Sequence, residues 1–156
     1  MWGMHEADAS ARGGDFTALG FDFGERRIGI AVGQSVTGTA RALTTVQSRD
    51  ARPDWDALGA LIAEWRPEHL VVGMPIRSDG SDHVLKTRVT RFCRQLEGRF
   101  QIPVATIDER LSSHEAAGHT SVGLDAEAAR IILETWFGVY SRGAAFGAVR
   151  NLEGKS

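Results

Sequence analysis

The sequence predicts a mixed α/β domain. It is a five-stranded sheet, with three antiparallel strands in a meander followed by two parallel ones, flanked by helices. Two observations predict it. Apolar residues first alternate with a period of two, and from Pro53 onward they recur at helical spacing between short apolar runs. Strands that come first as hairpins and then alternate with helices give antiparallel pairs followed by parallel crossovers.

Thr17–Phe23 is the first expected strand, with Leu19, Phe21 and Phe23 alternating against Ala18, Gly20 and Asp22. Gly24-Glu25-Arg26 turns the chain into a second strand, Arg27–Gly33, and Thr39–Val46 is a third. Pro53 is expected to open a helix through Leu58, Leu61, Ile62 and Trp65, which Pro67 ends. His69–Val72 reads as a short buried strand closed by Gly73-Met74-Pro75. A second helix from Asp82 carries Leu85, Val89, Phe92 and Leu96 on one face. Pro103–Ile107 is the fifth strand, and a last helix runs from about Leu124 to Phe137. This order of elements is the signature of the RNase H-like architecture, shared by nucleases and by sugar-kinase and actin-type ATPase domains. Residues 1–15 read as a disordered leader, 16–140 as one folded domain and 141–156 as a flexible tail.

Composition narrows the function classes. The 156 residues, 42% hydrophobic and 24% charged, are those of a soluble globular domain able to bury a core. The single cysteine, Cys93, excludes an internal disulfide framework and fits the reducing cytoplasm, the expected location. No segment is long and apolar enough to span a bilayer, so no membrane partner is expected. A net charge of -2 does not advertise a nucleic-acid binder, although a local basic face is enough to hold phosphates.

Acids at three places along the chain are candidates for chemistry. Asp22 sits mid-strand between Phe21 and Phe23, where an unpaired carboxylate is costly. A salt bridge to Arg26 or Arg27, or an edge position facing water, would account for it equally well. Asp108-Glu109 ends the fifth strand, where α/β proteins place ligand groups, although a turn cap and an Arg110 pair are available explanations. Asp125, near the start of the last helix, suits the macrodipole. It also lies in register with Ala128, Ala129, Ile132 and Trp136, the stripe expected to face the sheet. Carboxylates brought together repel, and a hard divalent cation neutralises them. Oxygen ligands favour Mg²⁺ or Mn²⁺ over Zn²⁺, and no Cys/His cluster has zinc spacing. His114 and His119 beside Glu115 read as surface loop residues.

These same residues make the chain resemble the YqgF/RuvX family of Holliday-junction-resolvase-like proteins, regarded as pre-16S rRNA nucleases. Four motifs carry the resemblance in order. They are the first hairpin from Leu19 to Val32, Val71-Val72-Gly73-Met74-Pro75 with Asp79-Gly80, Asp108-Glu109-Arg110-Leu111-Ser112-Ser113, and Asp125 with Ala128-Ala129 and Ile131-Ile132-Leu133. The resemblance implies a metal-dependent phosphodiester hydrolase with Asp22, Glu109 and Asp125 as catalytic metal ligands and Asp108 as the substitute for Glu109. It implies processing of the 5′ end of pre-16S rRNA in ribosome biogenesis. Arg26, Arg27 and Arg110 would hold phosphates, or pair with the acids themselves. The chain departs from the family pattern at Glu25, which adds negative charge near the phosphates, and in His114–Gly123, which is short and has no Lys or Arg. Lys86, Arg88, Arg91, Arg94 and Arg99 crowd the second helix as a substitute grip, with a solvated helix face as the competing explanation. Trp55, Trp65 and Trp136 read as packing residues rather than base-stacking platforms.

Resolution of a Holliday junction or other branched DNA is the alternative substrate class, and it needs a homodimer presenting paired sites. A different class is a non-catalytic nucleic-acid- or nucleotide-binding domain, suggested by Asp22-Phe23-Gly24 followed by Gly29. The nucleotide version needs a second homologous domain to close over the ligand. Acids at all three places argue against the non-catalytic scaffold.

Overall fold

The computed structural model describes residues 14–50, 52–75, 83–109 and 124–143. Its elements are β1 (Thr17–Phe23), β2 (Arg27–Gln34), β3 (Thr39–Arg49), β4 (Arg52–Pro53), α1 (Trp55–Trp65), β5 (His69–Met74), α2 (His83–Phe100), β6 (Val104–Asp108) and α3 (Leu124–Gly143). The strands form one mixed sheet in the order β4-β3-β2-β1-β5-β6. β1, β2 and β3 make the antiparallel meander, and β5 and β6 continue parallel to β1.

The sheet has six strands, not five, because β3 runs on to Arg49 and a two-residue strand pairs with its end. Pro53 belongs to this edge strand and does not open the helix. Its missing N–H costs nothing at a sheet edge. The helix begins one residue after Asp54, whose carboxylate accepts the Ala57 N–H at 3.1 Å as an N-cap. Arg66, at φ 47, closes α1 by donating its N–H to the Ile62 carbonyl, and Pro67 follows the cap. At the other end, α3 continues to Gly143, past the expected domain end at residue 140.

Alternation along the strands divides the core in two. Leu19, Phe21, Phe23, Ile28, Ile30, Val32, Leu70 and Val72 pack with Leu58 and Ile62 of α1 and Val89, Phe92 and Leu96 of α2. On the opposite face Ala18, Ala31, Val71 and Ile107 pack under Ala129, Ile132, Leu133, Trp136 and Phe137 of α3. Small residues on the α3 face and large ones on the other set the asymmetry. α3 lies close to the sheet, and the thicker layer is on the α1/α2 side. Trp55 and Trp65 are half-buried in the first cluster and Trp136 is buried in the second, as packing residues. Among the described residues, no helix is long and apolar enough to cross a membrane.

Candidate active site

β1, β5 and β6 are mutually parallel, so their C-terminal ends meet at one edge of the sheet. Asp22 is one residue from the end of β1. It shares its parity with Ala18 and Gly20, and therefore faces α3. Its cross-strand partner on β2 is Gly29. On its other side, Gly73 lies one position beyond the Phe21–Val72 pair of β1 and β5. The carboxylate thus stands between two glycines.

Both glycines are required by close approach. A Cβ at Gly29 would collide with the carbonyl oxygen of Asp125, so the first turn of α3 rests directly on β2 beside Asp22. A Cβ at Gly73 would lie 2.5 Å from Ile132 Cδ1 and 3.3 Å from Glu109 Cγ. The Glu109 side chain therefore passes over Gly73 toward Asp22. Of the stripe expected to face the sheet, Ala129, Ile132 and Trp136 are buried, whereas Ala128 is half-buried and Ala126 is buried in its place. The signal for close approach was present in β2, where Gly29, Ala31 and Gly33 make one face small.

Strand parity also separates Asp108 from Glu109. Ala105 and Ile107 belong to the α3 side and Val104 to the other. Glu109, the residue after β6, continues the α3-side series, and Asp108 has the opposite parity. The electrostatics agree. Asp22 is pushed up from 3.8 to about 7, first by burial, then by the negative charges of Glu109 and Asp125, and by a side-chain hydrogen bond with Glu109. A carboxyl so placed keeps its proton well above the usual carboxylate range.

Asp125 is near both but differently engaged. Its Oδ2 accepts a hydrogen bond from Arg27 Nε at 2.9 Å, with both side chains partly exposed. Among the described residues, no group of three His, Cys, Asp or Glu side chains is drawn together closely enough to form a closed ligand cage. On the Asp125 side, the Arg27 guanidinium holds the carboxylate by a charge-assisted bond. Of the two explanations for Arg27, pairing with an acid is thus realised, and with Asp125 rather than Asp22.

The remaining basic residues separate. Arg26 is exposed in the same turn, and its carbonyl accepts the Ser48 N–H at 2.8 Å. Arg88 pairs with Glu25, which neutralises the negative charge that the sequence places near the phosphates. Arg99 stacks over Trp55 with its Cζ 4.3 Å from the ring centroid. Arg91 lines an open groove of about 460 Å³ with Lys86, Thr87, Thr90 and Arg94. Arg110, Asp79-Gly80, Ser112-Ser113 and the His114–Gly123 loop, with His114, Glu115 and His119, lie outside the described residues, as do most of the expected leader and tail.

Comparison with known proteins adds to this geometry. The model of the family described as "RuvX: Holliday junction resolvase" matches residues 16–138. A protein of Methylococcus capsulatus named "Putative pre-16S rRNA nuclease" is 46% identical over 147 residues, covering 87% of this chain and 96% of its own. One of the same name from Paraburkholderia xenovorans is 49% identical over 132 residues, covering 81% and 90%. Among solved structures, "T. thermophilus RuvC in complex with Holliday junction substrate" superposes with a TM-score of 0.52 at 18% identity, covering 83% of this chain and 96% of that one. At that identity the likeness shows the RNase H-like fold and nothing finer.

Proposed function

The chain belongs to the RuvX family of nucleases and is a hydrolase of phosphodiester bonds, and on that premise we propose that it trims the 5′ end of pre-16S rRNA with a divalent metal held by Asp22, Glu109 and Asp125. The observation that carries this reading is the Asp22–Glu109 hydrogen bond at the strand-end edge, with the charge of Asp125 beside it.

The donor set suits a hard cation. Asp22 is strained as an anion, since burial and two neighbouring acids push it up to about 7, and a cation would relieve all three. All donors are carboxylate oxygens, which favour Mg²⁺ or Mn²⁺. When bound, such an ion supplies a nucleophilic water at neutral pH and charge stabilisation for the leaving oxygen. The chain's own residues do the rest. Glu109 stands beside Asp22 and, with burial, favours its protonated form in the absence of a cation. Arg27, exposed and beside Asp125, offers a guanidinium to phosphate oxygens at the same edge. Gly29 and Gly73 keep side chains away from the space between the acids.

This reading places the protein in the cytoplasm, on precursor ribosomal RNA. Resolution of four-way DNA junctions is the second reading, favoured by the matching family's description as a Holliday junction resolvase, and it calls for a homodimer. The deciding experiment compares a 16S precursor RNA with a synthetic four-way DNA junction, each incubated with Mg²⁺, Mn²⁺ or EDTA. Metal-dependent cut ends on the RNA, with an intact junction, are expected. Symmetric nicking of the junction alone would favour the second reading, and cleavage undiminished in EDTA would sink the metal site.

A further inference from the structure

α2 carries five cations, Lys86, Arg88, Arg91, Arg94 and Arg99, against one acid, Glu97, in a chain whose net charge is -2. Two of these cations have structural work. Arg88 pairs with Glu25 and Arg99 stacks on Trp55. Lys86, Arg91 and Arg94 have neither, and among the described residues none of the three has an ion-pair partner. They line one groove with Thr87 and Thr90, and no acid is among its described lining residues.

This arrangement costs stability. The first turn of α2 contains no acid, and Lys86 and Arg88 stand near the positive end of the helix dipole. Arg88–Arg91 and Arg91–Arg94 are like charges three residues apart, which repel. A bound polyanion would offset both.

The position is informative. Taking 100° per residue, the groove residues project opposite Val89, Phe92 and Leu96, the buried stripe. They face away from the sheet, whereas the acids face α3 on its other side. The two regions meet at the strand-end edge. β5 ends there, and Arg88 ties α2 to Glu25 in the turn that follows Asp22 and Gly24. From that level the helix runs away from the edge. Lys86 to Arg94 span about 12 Å of axis, room for about two successive phosphates of an extended strand.

We infer that the outer face of α2 is a second phosphate-binding site, which grips nucleic-acid backbone beyond the cleaved bond after the strand has passed over the sheet edge. This rests on the reading of the substrate as nucleic acid. No aromatic ring is among the described groove residues, so the grip reads charge and not bases. The substrate class that uses it is an extended or structured strand, long enough to reach from the acids to α2.

The test measures binding without cleavage. A fluorescein-labelled RNA hairpin with a single-stranded extension is titrated in EDTA at several salt concentrations, with fluorescence anisotropy as readout. Arg91→Gln/Arg94→Gln is compared with Arg41→Gln/Arg66→Gln, which removes the same charge from exposed positions at the opposite edge of the sheet. The first pair lowers the slope of log Kd against log salt by about 1.4, and the second leaves it unchanged. Arg91→Lys/Arg94→Lys keeps both charges and returns the wild-type slope, which separates charge from misfolding. Equal slopes for the two Gln pairs, or no return with Lys, overturn the proposal. If the wild type cuts no RNA yet the slopes still differ, the RNA-processing reading fails and this site stands.

Discussion

Asp22→Asn keeps the shape of the side chain and removes its charge, so it isolates what the acid cluster costs the fold. Asp22 rises from 3.8 to about 7 in the folded chain, with burial as the largest cause and the charges of Glu109 and Asp125 next. For a raised acid the linkage sign is unambiguous. Its contribution to stability is fully present below 3.8, where both states are protonated, and is lost as pH climbs through about 7. At pH 8 the metal-free protein therefore holds a carboxylate that it would rather release to water. The rise corresponds to about 4 kcal/mol at ~1.4 kcal/mol per pH unit. Water reaching the half-buried carboxyl reduces the working figure to about 2 kcal/mol. At about 4 °C per kcal/mol for a domain of this size, Asp22→Asn melts about 8 °C higher than wild type. The assay is thermal unfolding in EDTA at pH 8 and again near pH 5. The gain is largest at pH 8 and shrinks toward pH 4. A variant that melts at or below the wild type at pH 8 refutes the reasoning, because it would mean that neither burial nor the neighbouring acids strain the Asp22 carboxylate.

The remaining predictions follow from parity and close approach. Glu109→Gln abolishes cleavage while Asp108→Asn retains it, since only Glu109 shares the α3 side with Asp22; initial rates on the precursor RNA check this, and the reverse order would contradict it. Gly29→Ala drives a methyl group into the Asp125 carbonyl and costs about 3 kcal/mol or more, read as a lower urea midpoint together with lost activity as α3 shifts away from the acids. Asp54→Ala removes the α1 cap and lowers stability by about 1 kcal/mol, with cleavage unchanged because α1 packs on the sheet face opposite α3 and the acids.

The main strands and the facing of β1 could be read from the sequence because alternation reports directly on which way a side chain points. Thr17–Phe23 gives Leu19, Phe21 and Phe23 to one face and Asp22 to the other without ambiguity. The two-residue strand at Arg52–Pro53 could not be read this way, since a period cannot be seen in two residues and proline suggested a helix start. Asp22 and Glu109 were legible as acids in costly places, but their hydrogen bond depends on Gly73, which lies more than thirty residues before Glu109 and reads locally as a strand terminator. The Arg27–Asp125 pair spans 98 residues and has no local signature at all. Glu25 looked like an obstacle to phosphate until α2 brought Arg88 to it. In each case the unread part is a contact between elements, set by how closely layers approach rather than by the pattern within a strand or helix.

The most direct test of the account compares wild type and Asp22→Asn on the 16S precursor RNA in Mg²⁺, using preparations whose folding the melting curves have already established. The account predicts new 5′ ends with wild type and none above the enzyme-free control with the variant. Equal cleavage by both would show that the phosphodiester is cut elsewhere, and would contradict the assignment of the carboxylates at the end of β1.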